Sequence, residues 1–156
     1  MAIMRNLLRS TQAKKHRRVI KEGNYIGRHK GIIHYTIGQR RGLGIPAASR
    51  LYVCEISPKT NTVVLGDNAD LFSSELEADS VNLISVDNLS EPKRVTAKIR
   101  YRHKEQPATA WQTSDGILHV KFDEPQRAIT KGQAVVMYDG DEVVGGGVIN
   151  KIYSQS

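Results

Sequence analysis

Ala108-Thr109-Ala110-Trp111-Gln112-Thr113-Ser114-Asp115-Gly116-Ile117-Leu118-His119-Val120-Lys121-Phe122 is the stretch on which the fold class turns. Apolar and polar residues alternate on both sides of Ser114-Asp115-Gly116, and Asp-Gly is a preferred tight-turn pair. Residues 108–113 and 117–122 therefore predict a β-hairpin. Toward the C-terminus, residues 135–138 and 142–144 repeat the pattern across Asp139-Gly140-Asp141. Gly145-Gly146-Gly147 then interrupts a last strand over 148–152, which signals a bulge, a barrel corner or close backbone approach. Toward the N-terminus, residues 95–102 alternate strictly and 81–86 make a short strand. The polar segment 66–79 reads as a connector and domain boundary. Residues 51–56 and 62–65 form a second hairpin across 57–61. Tyr25-Ile26 and residues 32–35 flank a turn-like segment at 27–31. Only residues 4–20, with Leu7 and Leu8 on a weak face, hint at a short helix. Six or more short strands with turns between them predict an all-β protein, a small barrel or sandwich, whose closure would remove exposed edges.

Composition narrows the class. A hydrophobic share of 39% with 25% charged residues is that of a soluble globular chain rather than a disordered one. Aromatics are only 6%, so the core must rest on Val, Ile and Leu. No apolar run approaches the roughly 20 residues that span a bilayer, and the N-terminus lacks the apolar stretch of a secretory signal. With Cys54 the single cysteine, an internal disulfide framework and a multi-cysteine zinc site are excluded, and the cytoplasm is the expected compartment. The net charge of +7 is unevenly placed. Residues 1–50 hold twelve Lys/Arg against the single acid Glu22, whereas residues 51–156 hold eleven against fifteen acids. Such a split suggests one end facing a polyanion, with residues 1–20 themselves reading as a solvated basic tail.

Three segments are candidates for chemistry. On a strand over 95–102, Thr96, Lys98, Arg100 and Arg102 share one face and Val95, Ala97, Ile99 and Tyr101 the other. The three cations would form a row roughly 14 Å long at about 3.4 Å rise per residue, a match to successive phosphates. No acid interrupts the row, which favours phosphate binding over an ordinary solvated face. The glycine-rich loop 36–46 is basic and reads as mobile. It lacks the Gly-Lys-Ser/Thr of a nucleotide P-loop, and a structural turn explains it equally well. In residues 122–133, Asp123 and Glu124 point to opposite faces of an extended chain, and Arg127 is the expected salt-bridge partner rather than part of a catalytic pair. His16, His29, His34, His103 and His119 have no metal-ligand spacing, so no metal site is expected. Cys54 reads as a small hydrophobe without an activating neighbour. No nucleophile–base pair is complete, and no catalytic residue is assigned.

Taken together, three stretches resemble the tRNA-specific 2-thiouridylases. The first is Gly31-Ile32-Ile33-His34-Tyr35-Thr36-Ile37-Gly38-Gln39-Arg40-Arg41-Gly42-Leu43-Gly44-Ile45. The second is Lys98-Ile99-Arg100-Tyr101-Arg102. The third is Asp123-Glu124-Pro125-Gln126-Arg127-Ala128-Ile129-Thr130-Lys131-Gly132-Gln133, followed by Tyr138-Asp139-Gly140-Asp141 and Gly145-Gly146-Gly147. The resemblance runs from about Asn24 to Ile152. It implies a small central β domain followed by a C-terminal six-stranded β-barrel, both helping to bind tRNA. In that family an N-terminal domain adenylates the wobble uridine with ATP and magnesium, and two cysteines deliver sulfur. The nucleotide loop and both catalytic cysteines have no counterpart here, and Cys54 lies downstream of the signature rather than upstream, so it inherits no role.

The resulting expectations are specific. Residues 1–22 form a basic tail, helical or disordered; 23–77 the central β domain; 78–154 the barrel. The chain is a tRNA-binding, non-catalytic part of a sulfurtransferase, inactive alone and without a cofactor of its own. The partners implied are the tRNA anticodon arm and, for the full-length enzyme, a sulfur-relay donor, with no membrane. The resemblance places Arg100, Tyr101 and Gln133 at tRNA-contact positions. Lys98 and Arg102 join them by the strand-face argument, and Gln39, Arg40 and Arg41 by their place in the signature loop. By parity Tyr101 belongs to the apolar face, so contact with RNA requires a strand end, a bulge or its backbone. The alternative function is a β-barrel protein-interaction module of the translation or tRNA-modification machinery.

Overall fold

The computed structural model of the chain describes residues 17–154, so the expectations for residues 1–16 lie outside the described residues. Two compact units divide between Leu71 and Phe72. The first carries strands β1 (Arg18–Lys21), β2 (Asn24–Arg28), β3 (Tyr52–Ser57) and β4 (Thr62–Gly66). Its sheet has the order β2-β1-β4-β3, with β1 parallel to β4 and the other pairs antiparallel. Residues 18–21, expected in the tail, are therefore a central strand. One buried side chain, Val19, anchors it beside Val53, Val63 and Leu65, and the adjacent pair Val19-Ile20 between cations shows no alternation to read. Residues 32–34 are a 3-10 turn rather than a strand, because β2 pairs back onto β1.

The second unit is a closed barrel, the architecture expected for this region. Its strands are β5 (Phe72–Leu83), β6 (Lys93–Lys98), β7 (Gln106–Gln112), β8 (Leu118–Arg127), β9 (Ala134–Asp139) and β10 (Glu142–Ile152), in the order β10-β5-β8-β7-β6-β9. Period-two alternation sends Leu76, Val95, Leu118, Val120, Phe122, Val135, Met137, Val144 and Ile149 into the interior. Each contributes about 1.5–3 kcal/mol by leaving water. Small Ala78, Ala97, Ala108 and Ala110 sit among them, the mixture of sizes that fills a narrow barrel without voids. Leu89 is buried at the end where β7 runs into β8, and Ile99 and Ile129 at the opposite end.

Two expectations change here. The polar segment 66–79 is not all connector: β5 begins at Phe72, with Glu75 and Glu77 between the buried Ser73, Leu76 and Ala78 and Asp79 just after them. In addition, β8 runs on to Arg127 through Pro125. Its pairing with β7 ends at Phe122, and a register shift on β5 falls between Ser73 and Glu75. A residue without an N–H is tolerated where no ladder bond is due from it. The glycine run stays inside β10, with register shifts beside it against both neighbours. A Cβ on Gly145, Gly146 or Gly147 would lie 2.4, 2.2 or 2.7 Å from a backbone carbonyl oxygen, so the run exists to let three strands approach at the closure.

Candidate nucleic-acid interface

The predicted cation row does not exist as a strand face. Strand β6 ends at Lys98, and Ile99 just beyond it keeps the inward place it shares with Val95 and Ala97. A turn over residues 100–103 follows, closed by the His103 N–H donating to the Arg100 carbonyl at 3.2 Å. Tyr101 stands at this turn with 93% of its surface exposed, so the parity that assigned it to the apolar face ends before it. The Lys98 ammonium lies 5.7 Å from the Tyr101 ring centroid, within cation–π range. Arg102, His103 and Lys104 are also exposed. The acid of this loop, Glu105, accepts a hydrogen bond from Thr96 Oγ1 at 3.0 Å.

Arg100 has a different use. It is half-buried and donates to the Ala128 carbonyl, which also accepts from Thr130 Oγ1 at 3.0 Å. Ala128 holds a left-handed conformation at φ 57°. Arg100 thus ties the 99–105 loop to the 128–133 loop. Gln133 is exposed at the end of that second loop, where its carbonyl accepts from the Ile149 N–H at 2.9 Å. Strand β9 starts at the next residue, and its Val136 pairs with Lys98. Lys98, Arg100, Tyr101, Arg102 and Gln133 therefore gather at one end of the barrel, although no strand aligns them. His103, Lys104 and Lys131 stand in the same two loops. Sequence reasoning passed over them because it ended the basic segment with a strand.

Gln39, Arg40 and Arg41 lie in the first unit, and the loop that holds them is packed rather than mobile. Ile37, Leu43 and Ile45 sit against the small core. The Gly38 N–H donates to the Val53 carbonyl at 2.8 Å, and the Val53 N–H donates to the Gln39 carbonyl at 2.9 Å. Gln39 also accepts from the Thr36 N–H at 3.0 Å and donates to the Arg41 carbonyl at 2.9 Å. Its amide is a brace for the loop, while Arg40 and Arg41 are exposed.

The other reactive groups are held in packing or ion pairs. Burial, and then the carboxylates Asp70 and Asp67, push the Cys54 thiol up to about 11, the opposite of what a nucleophile needs. Asp123 pairs with Arg94 through two 2.7 Å hydrogen bonds, and these hold its carboxyl below the usual range. His119 stacks on Trp111 at 5.3 Å. Tyr153 and Lys151 hold the Glu77 carboxylate, again lowering it. Among the described residues no group of three or more His, Cys, Asp or Glu could hold a metal ion. No helix of the described residues is long and apolar enough to cross a membrane.

Comparison with known proteins agrees with this layout. Residues 5–67 match the model of the tRNA methyl transferase PRC-barrel domain, and residues 73–149 that of the aminomethyltransferase beta-barrel domain. The chain is 59% identical over 130 residues to the tRNA-specific 2-thiouridylase MnmA of Clostridioides difficile, covering 83% of this chain and 36% of that protein. It is 56% identical over 128 residues to the enzyme of the same name from Acetivibrio thermocellus, covering 82% and 36%. The corresponding Clostridium acetobutylicum protein is 53% identical over 131 residues, covering 84% and 37%. The chain thus spans little more than a third of these relatives.

Proposed function

Since the chain belongs to the family of tRNA-specific 2-thiouridylases, we propose that it is the tRNA-holding part of such an enzyme, without turnover of its own. Its contribution is positional: it grips the anticodon arm so that the wobble uridine reaches a catalytic centre carried by other residues, with sulfur arriving from a relay protein. The observation that carries the reading is Tyr101, a 93% exposed aromatic on a turn flanked by Lys98, Arg102 and Lys104. An exposed ring offers a stacking surface to an unpaired base, and the cations around it neutralise phosphates. Such a site works in the cytoplasm, where tRNA is found.

The test is binding of the full chain to an anticodon stem-loop RNA at two salt concentrations, beside the Lys98/Arg102/Lys104→Glu variant. The parent binds, weakening steeply with salt. The variant binds at least tenfold more weakly, and its salt slope falls by about 2, at roughly 0.7–0.9 per lost phosphate contact. A variant that binds as well as the parent, or a parent that does not bind, replaces this reading with the protein-interaction barrel.

A further inference from the structure

The barrel-end site leaves the signature loop unused, and that loop builds a groove of its own. Residues 40 and 42–51 line an open cavity of about 630 Å³, within the range that holds a small organic ligand. The pairing of Gly38 and Gln39 with Val53 closes the loop at its neck. Arg40 follows one side of that neck, and Arg50 precedes Leu51 and β3 on the other. Both arginines line the groove and are exposed. Among the described residues neither has a hydrogen-bond or ion-pair partner. Between them Leu43, Ile45, Pro46, Ala47 and Ala48 add aliphatic side chains to a lining whose exposed surface is more polar than apolar, and it contains no carboxylate. Leu43 and Ile45 are fixed against the core, and the Gln39 brace fixes the approach to Arg40. The surrounding unit, residues 1–71, carries thirteen Lys/Arg against four Asp/Glu.

We propose that this groove binds an unpaired, phosphate-bearing nucleotide. The aliphatic side chains of Leu43, Ile45 and Pro46 meet a face of the base, and Arg40 and Arg50 grip the phosphate with the paired N–H geometry that suits guanidinium to phosphate. The proposal rests on the tRNA-binding reading only for the source of the nucleotide, a segment of the same RNA. A groove for bare anions would need no aliphatic side chains beside its arginines, and one for an apolar peptide would not be lined mostly by polar surface with two cations at its neck.

The test is an amide-resolved NMR titration of the full chain with uridine 5′-monophosphate, inorganic phosphate and uridine at matched ionic strength. The Gly42 and Gly44 amides are expected to shift with the monophosphate at least threefold more than with either fragment. The Arg40→Ala/Arg50→Ala variant should lose those shifts and bind unstructured oligouridylate about tenfold more weakly. Lys59→Ala, which removes a charge elsewhere in the unit, should change neither. Undisturbed Val53 and Val63 amides in the double variant show that the unit is folded. Equal shifts with inorganic phosphate, shifts that survive in the double variant, or no shifts at all each overturn the proposal. The Lys98/Arg102/Lys104→Glu chain must still respond to the monophosphate, which separates failure of the groove from failure of the barrel-end site.

Discussion

Gly146→Ala is the sharpest probe of how the barrel closes. The added Cβ would sit 2.2 Å from the Val135 carbonyl oxygen and 3.3 Å from Val135 C and Val136 Cα. A carbon–oxygen contact is comfortable at about 3.3 Å, so β9 and β10 must separate by about 1 Å at this point. The obstacle is main chain, and no rotamer change relieves it. Opening the ladder by that much breaks the hydrogen bonds on either side of the Gly146–Val136 pair. At about 1 kcal/mol for each lost bond plus distortion of the strands, the cost is about 3 kcal/mol. For a domain of this size that is on the order of 15 °C in Tm. The matched control is Gly140→Ala, at φ 59° in the β9–β10 turn with open space around its Cβ. It costs only about 1–2 kcal/mol, from the left-handed backbone alone. Urea unfolding followed by Trp111 fluorescence reads the barrel directly, since Trp111 is the only tryptophan and lies on β7. If Gly146→Ala proves no more costly than Gly140→Ala, steric closure by the glycine run is refuted.

Three further outcomes follow from local contacts. His29 is buried, with Nε2 donating to the Asn61 carbonyl at 2.8 Å and Nδ1 accepting from the Gly31 N–H at 3.1 Å. His29→Ala strands both partners, and hydrogen-exchange protection of Val63 and Leu65 should fall about 30-fold, for a loss of about 2 kcal/mol; an unchanged rate removes His29 from the account of this unit. Cys54, pushed up to about 11, should hold about 100-fold less thiolate at pH 8 than an ordinary cysteine, so alkylation at the rate of a free thiol would contradict the packing around it. Asp123 is held low by Arg94, so the pair's stabilisation is present above the ordinary carboxylate range and is lost as pH falls through the lowered value. In an NMR titration Arg94→Ala should return the Asp123 carboxyl upward, with little change in the urea midpoint because the pair is exposed.

Much of the barrel was legible in the residues themselves. The Asp-Gly hairpin, the alternation of residues 108–122 and the triple glycine report on neighbours a few positions away, and local spacing encodes local pairing. The all-β class and the motifs that mark the family needed nothing more. The site was read less well, for one physical reason. Where a strand ends depends on where its neighbours stop pairing with it, and that is a property of the closed barrel. Ile99 took the inward place its parity requires, but pairing with β7 ended at Ala97 and with β9 at Lys98, so the strand expected to reach Arg102 stopped there. The cation row became a turn, Tyr101 went to solvent and Arg100 to the Ala128 carbonyl. Val19 became the core of a central strand by pairing in parallel with a segment more than forty residues away, and the signature loop was fixed by Val53 through bonds that no spacing predicts. The sequence by itself determined the all-β class, most of the barrel's strands, the charge and the family. Only the tertiary structure decided which cations stand free to meet an anion, because freedom from a partner is settled by every residue that could have been one.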